Sequence, residues 1–371
     1  MRAYNFILTF LFLLIILVFS GLHLYLPDQE TDMTENRALN QFPAFDLKHL
    51  DNFPAQMDGY LNDQFPYRTQ LITLLNIAHI KLFQQAINDK IIVGKEGWFY
   101  LNNPELETHL PDSLYTETQL SLILSNLEDR KNYVEKNGGK FYFIIVPSKY
   151  SVYPEFLHPR FTNYSGITKR IQLVDFLKKK KVNYCVDLTD TLLFYKKSGI
   201  KMFFKTDNHW TPYGAFVGTN AILQRIKYDI PDINLLDLKD YNIEKRISKN
   251  GNLTAMIGLQ SYFPESYSHF SFIPKNYYEH GRLRGYPQTT KFPEFKDFEI
   301  VFNGQGKYRL LLVRESFAYT QEIFIAPQFK ESVFIFDGWL HGFHPEIVKS
   351  EKADIVVLQI QEPFLDNLLK E

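Results

Sequence analysis

Residues 141–147, FYFIIVP, are apolar without interruption. A strand with one wet face alternates apolar and polar side chains, because successive side chains point to opposite faces. An unbroken run is expected when both faces are covered, as in a parallel sheet. Similar runs recur in RLLLV (309–313), SVFIF (332–336) and ADIVVLQI (353–360). Parallel strands need long crossovers, usually helical, so helical patterns should separate them. TETQLSLILSNLEDRKNYVEKNGG (116–139) reads as a capped amphipathic helix stopped by Gly138 and Gly139. ITKRIQLVDFLKKKK (167–181) reads as a basic helix leading to a strand in VNYCVDL (182–188), and a short helix is expected near 345–350. The lysines at 178–181 suit a solvated helix end that complements the macrodipole; a polyanion or membrane-surface site is the minor alternative. The sum is an α/β domain with a mostly parallel sheet.

The chain opens MRAYNFILTFLFLLIILVFSGLHLYLPDQETD. Residues 6–22 are apolar apart from Thr9, Ser20 and Gly21, with Arg2 before the run and Asp28, Glu30 and Asp32 after it. About 17–25 apolar residues span a bilayer as a helix. The positive-inside rule puts the N-terminus in the cytoplasm and the rest outside. A cleaved signal peptide is the rival. Val18-Phe19-Ser20 is only a passable cleavage site and the run is long for a signal, which favours an uncleaved single-pass anchor. Three parts are expected: an anchor or signal peptide (1–26), a membrane-proximal segment (27–110) and the sheet domain (111–371). The second carries helical spacing from Leu71 onward and a hairpin in IIVGKEGWFYL (91–101), turning between Gly94 and Gly97. Residues 229–300 lack periodic runs and read as a long irregular stretch, of the kind used for lids or binding surfaces.

Hydrophobic residues at 45% and charged ones at 22% fit a globular protein, and a formal net charge of -1 gives no sign of nucleic acid. The 33 Phe and 23 Tyr suit a large core better than a carbohydrate-facing groove. The only cysteine, Cys185, permits no intramolecular disulfide and reads as a packed strand thiol.

KTDNHWTPYGAF (205–216) sets Asp207 and His209 two positions apart, just before a helix that Thr211 can cap and Pro212 can open. In a turn, such a carboxylate can accept from Nδ1–H and leave Nε2 facing a nucleophile. An ordinary polar turn or a metal-ligand pair are the alternatives, and the only clustered histidines, His341 and His344, have nonspecific spacing. Ser316, in VRESFAYT, ends an apolar strand where a helix can begin. That is where α/β sheets collect their reactive groups. The plain alternative is a helix N-cap serine.

TDNHWTPYGA resembles the D-x-H-W-T motif of the alginate O-acetyltransferase-like SGNH proteins, and of the related DHHW proteins with Asn208 in place of their second-position histidine. The resemblance continues in order through ENRALNQFP (35–43), DQFPYR (63–68), GKEGWFYL (94–101), VPSKYSVYPEFL (146–157), RLLLVRESFA (309–318) and QIQEPFLDNL (359–368). It implies an SGNH-like, flavodoxin-like fold with helices on both faces of the sheet and a triad ordered Asp, His, Ser. Asp207 then orients the base, His209 is the general base and Ser316 the nucleophile, whose own backbone N–H is the candidate oxyanion donor. Glu315 stands where some members have Asp, and Arg314 where a small residue is common. Lys149, Tyr150, Trp210 and Arg314 become candidate substrate-lining residues, Lys149 and Tyr150 fitting a structural place equally. The implied reaction moves an acetyl group through acyl-Ser316 onto a polysaccharide hydroxyl outside the cytoplasm, with no cofactor or metal. The implied donor is supplied by a membrane-bound O-acyltransferase. An acetylesterase would use the same three residues. A non-catalytic anchored protein that binds a glycan or a partner would leave them apart in space.

Overall fold

The run at 141–147 forms the core of a seven-stranded sheet, made of β1 (Lys140–Val146), β2 (Cys185–Asp187), β3 (Glu279–His280), β4 (Glu299–Asn303), β5 (Arg309–Arg314), β6 (Glu331–Phe336) and β7 (Ile355–Gln361). The computed structural model describes all residues except 1, 33–36, 49, 103–113, 158–165, 274–277, 288–297, 338–339 and 371. The spatial order is β2-β1-β7-β5-β6-β4-β3, which puts β5 in the middle. Pairing is parallel from β2 through β6, and β4 pairs antiparallel with both β6 and the edge strand β3. Side chains of β1 divide between two cores: Tyr142, Ile144 and Val146 enter one, Phe141, Phe143 and Ile145 the other. Leu310 and Leu312 of β5 likewise oppose Leu311 and Val313. Both faces are dry, which is why these strands read as unbroken apolar runs.

Helices Glu117–Lys136, Lys169–Lys179 and Pro345–Glu351 cover one face, and Thr189–Lys196, Pro212–Asp229 and Ala318–Ile325 the other. The first starts in a capping box: the Gln119 N–H donates to Thr116 Oγ1 and the Thr116 N–H to Gln119 Oε1. It stops at Gly138, whose φ of 88° suits glycine. Thr211 caps Pro212–Asp229 by accepting the Gly214 N–H at 3.2 Å. Gly214 has no room for a side chain, because a Cβ there would overlap the Met202 carbonyl.

Two expectations need correction. Residues 229–300 are not irregular: Tyr241–Ser248 pairs with Glu265–Phe272 in an antiparallel hairpin, with a short helix, Asn252–Ala255, in the connection. The outer strand hid because residues 242–247 are exposed, so YNIEKRIS carries no apolar alternation. The strand in VNYCVDL is also shorter, only Cys185–Asp187; burial pushes its thiol well above the ordinary range.

Before the sheet lie helices Arg2–Tyr25, Phe53–Asp63 and Arg68–Phe83, then the hairpin Ile91–Val93 with Phe99–Leu101. Helix residues Tyr4–Tyr25 include an 18-residue window with a mean hydropathy of 2.6 and are long and apolar enough to cross a bilayer. Trp98 and Tyr100 pack in the same core as β1. The expected division at 110 and the start of ENRALNQFP lie outside the described residues.

Thr211→Ala should lower stability by about 1 kcal/mol through the lost cap. Gly214→Ala should cost more, about 1–3 kcal/mol, because backbone rather than a mobile side chain opposes the new methyl. Urea midpoints read both, and a harmless Gly214→Ala would contradict the close approach.

Candidate active site

Residues 202–211 fold back on themselves. The Thr211 N–H donates to the Met202 carbonyl at 2.8 Å, the Phe204 N–H to the His209 carbonyl at 3.2 Å, and Phe203 bridges Trp210. Asp207 and His209 ride at the tip. Asp207 Oδ1 accepts from His209 twice, from its backbone N–H at 2.9 Å and from ring Nδ1 at 2.7 Å. Its Oδ2 accepts the Asn252 N–H at 2.9 Å, while Asn252 Oδ1 accepts the Asn208 N–H at 2.8 Å.

Ser316 approaches from the sheet. It follows β5 at the carboxyl edge, in a tight turn just before helix Ala318–Ile325. Its Oγ lies 2.9 Å from His209 Nε2. The N-cap alternative is not what this serine does: Phe317 holds the cap position, with no side-chain cap bond. The turn is tied down by Glu315, fully buried, whose Oε2 accepts the Phe317 N–H at 2.7 Å and whose Oε1 accepts from Gln359 Nε2 at 2.8 Å. Asp207, His209 and Ser316 therefore form one hydrogen-bonded line, whereas the binding-protein reading expects them apart. The metal-pair alternative finds no further ligands, since no group of three or more His, Cys, Asp or Glu gathers at metal-holding distance among the described residues. His344 Nε2 instead meets Asp337 Oδ2 at 3.1 Å.

Burial by itself raises the Asp207 pKa. The bonds from the His209 ring, the Asn252 N–H and the His209 N–H, with the attraction of His209, outweigh it and hold the carboxyl below its ordinary value. Glu265 behaves likewise: burial is overcome by Thr206, the Lys205 N–H and Lys201. Glu315 goes the other way. Its burial dominates the bonds from Gln359 and Phe317, and its pKa is raised.

The four expected substrate-lining residues are all buried. Lys149, 1% exposed, donates from Nζ to the carbonyls of Phe99 (2.7 Å) and Lys205 (3.1 Å). The Tyr150 hydroxyl donates to the Leu101 carbonyl at 3.1 Å. Trp210 Nε1 donates to the Phe317 carbonyl at 3.0 Å, tying the acid–imidazole loop to the serine turn. The Arg314 guanidinium lies over the rings of Tyr319 (4.0 Å) and Phe336 (4.9 Å). These side chains shape the site from behind. Asn252, Glu265 and Gln359 escaped the sequence reading, because only the folded chain brings them to the motif.

A parallel sheet whose middle strand delivers a serine to an Asp-x-His loop defines the SGNH hydrolase-like class. The family model described as SGNH hydrolase-like domain, acetyltransferase AlgX, matches residues 91–317, more than half of the chain, and the chain belongs to that family. "Probable alginate O-acetylase AlgJ" of Pseudomonas aeruginosa is 24% identical over 214 residues, covering 56% of this chain and 51% of the relative. Its counterpart from Pseudomonas syringae pv. tomato is 26% identical over 181 residues, 47% of this chain and 42% of the relative. The chain thus spans about half the length of the curated relatives it matches. PatB1 of Bacillus cereus shares the fold, with a TM-score of 0.54 at 17% identity over 75% of this chain and 98% of PatB1.

Two outcomes follow from the electrostatics. A carboxyl with a depressed folded pKa contributes stability above its unfolded value, about 4.3 for Glu, and loses it as pH falls through the lower folded value. Melting temperatures should therefore fall less steeply below pH ~4 for Glu265→Gln than for the parent chain. Glu315 has the opposite sign: the stability it contributes is complete below its unfolded pKa and declines as pH rises toward its folded one. Glu315→Gln should flatten that rising-pH loss. Separately, Lys149→Met should cost about 1–3 kcal/mol, by leaving two carbonyls without their ammonium, yet leave KM unchanged. A raised KM with an unchanged melting temperature would return Lys149 to the substrate.

Proposed function

We propose that the chain is an extracytoplasmic O-acetyltransferase, held to the membrane by its N-terminal helix. It passes an acetyl group through Ser316 to a hydroxyl of a cell-surface or secreted polysaccharide. The observation that carries this reading is the Asp207–His209–Ser316 line, with separations of 2.7 and 2.9 Å. In the first half-reaction His209 Nε2 takes the Ser316 proton as Oγ attacks the acetyl carbonyl. The tetrahedral intermediate collapses, the donor leaves with the proton from Nε2, and acetyl-Ser316 remains. In the second half an acceptor hydroxyl gives its proton to Nε2 and attacks, and Ser316 leaves and recovers that proton. Asp207, accepting from Nδ1–H, keeps Nε2 basic and favours the imidazolium that forms each time. The Phe317 N–H is committed to Glu315, so the Ser316 N–H is the oxyanion donor the turn offers.

A membrane-bound O-acyltransferase supplies the acetyl group in this reading, which accounts for an anchor with its sheet domain outside. One observation favours acetylester hydrolysis as a second reading. The His209 side chain is 28% exposed, so water as well as a sugar hydroxyl can reach Nε2.

The test is acetyl release from an activated aryl acetate by the full chain in detergent. Ser316→Ala and His209→Ala should each cut the rate at least ~100-fold. Adding oligosaccharide should yield acetylated sugar for a transferase and only free acetate for an esterase. Equal rates in all three proteins would remove both readings.

A further inference from the structure

Helix Arg68–Phe83 is apolar on two sides. One side faces the connection of the 241–272 hairpin: Ile77 and Ile80 pack with Leu253, Ile257 and Leu259. Asn76 Nδ2 donates to the Ile257 carbonyl at 3.0 Å and Thr73 Oγ1 to the Gly258 carbonyl at 3.3 Å. The other side presents Leu71, Leu74, Leu75, Ala78 and Leu82, spaced as a single helical stripe, and all are exposed. Leu74 is 61% exposed, Leu82 74% and the terminal Phe83 61%. An outward apolar stripe of this kind is costly in water and marks an interface.

The start of this helix fixes what the interface meets. Phe65, in the turn before it, stacks on Phe19 of the N-terminal helix with ring centroids 4.8 Å apart. His23 Nδ1 meets the Gln64 carbonyl at 3.2 Å, and the Tyr60 hydroxyl meets the Asp28 carboxylate at 3.1 Å. Phe19 lies six residues before Tyr25, the end of that helix. At 1.5 Å per residue this is about 9 Å along the axis. If the helix spans a bilayer, Phe65 reaches that far into the outer leaflet, within the ~5–10 Å depth at which apolar faces of interfacial helices settle.

We propose that the Phe65 turn and the Leu71–Leu74–Leu75–Leu82 stripe lie in the outer leaflet of the lipid bilayer as a second, non-spanning membrane contact. The proposal rests on the anchored reading above. Continuity with the apolar helix selects lipid as the occupant, and Lys81, exposed beside the stripe, can place its ammonium among headgroups. The contact also serves the site. The helix holds the 252–258 connection, and the Asn252 N–H in that connection holds Asp207. Seating the helix on lipid therefore sets the height and tilt at which the acid–imidazole loop faces the membrane.

The test uses the full chain in phosphatidylcholine vesicles, with an environment-sensitive fluorophore on Leu14→Cys, Leu74→Cys or Tyr228→Cys; Cys185 is partly buried, and the unsubstituted chain measures its background. Nitroxide lipids carry the quencher near the headgroup or near the chain end. Leu74→Cys should lose emission to the shallow quencher more than to the deep one, Leu14→Cys should be quenched as a spanning residue, and Tyr228→Cys should match the aqueous control. Quenching at 14 but not at 74 overturns the proposal and leaves the anchor. Quenching at 74 but not at 14 keeps the lipid contact and removes the span. Quenching at neither removes both. A blue-shifted Leu74→Cys signal that ignores both lipid quenchers means that a protein covers the face, which also overturns the proposal.

Discussion

A buried carboxylate that touches neither Asp207 nor His209 sets the position of both. Loop residues 205–209 have no ladder or helix to satisfy their backbone, and a buried N–H without a partner is costly. Glu265 answers for three donors at once, the Lys205 N–H, the Thr206 N–H and the Thr206 hydroxyl, and takes a fourth bond from Lys201. Burying a carboxylate costs several kcal/mol unless its lone pairs are filled, and here they are. The Thr206 carbonyl is used just as fully, by the N–H groups of Leu253 and Thr254. Gly251 permits this approach, since a Cβ there would overlap Thr206. With residue 206 gripped above and below, Asp207 leaves the loop in one direction and His209 follows.

Two carboxyls that interact with the His209 charge are pushed in opposite directions. Asp207 is held ionised by the groups that donate to it, while burial weights Glu315 toward its neutral form. The two acids are thus separated by environment, and Glu315 serves the turn. Its bond to the Phe317 N–H then does backbone work, fixing the angle at which Ser316 leaves β5.

Legibility in the sequence followed physical range. The runs at 141, 309, 332 and 353 announced strands because both sheet faces are dry, and Thr116 with Gln119 announced a helix start because a capping box is local. Asp207 with His209, and Ser316 at a strand end, were legible for the same reason. Asn252 acts on Asp207 from 45 residues away, and Gln359 on Glu315 from 44, so no window of sequence contains either pair. The 241–248 strand was illegible because its exposed side chains gave selection by burial nothing to write. Lys149 and Arg314 show partners that the sequence did not name. A charge near a motif suggests a ligand, but here one charge is spent on two carbonyls and the other lies between aromatic rings.

The site is assembled from two bodies of different origin. The serine turn belongs to the sheet, fixed by β5, Glu315 and Gln359. The acid–imidazole loop is gripped mainly from the hairpin and its connection, through Glu265, Thr206 and Asn252, and that connection is packed on helix Arg68–Phe83. The two halves are joined near the reacting atoms by the His209–Ser316 bond, by the Trp210 indole on the Phe317 carbonyl, and by the Phe317 ring, which meets those of His209, Trp210 and Phe203 at 4.9, 5.3 and 5.9 Å. A shift of the hairpin relative to the sheet would leave the Asp207–His209 bond intact, since both partners travel together. It would act on the 2.9 Å separation between Nε2 and Oγ, the contact through which a proton must pass in the proposed reaction. A displacement of helix Arg68–Phe83, passed on through the connection it holds, would therefore be felt at the junction between the two halves and not within the Asp207–His209 pair.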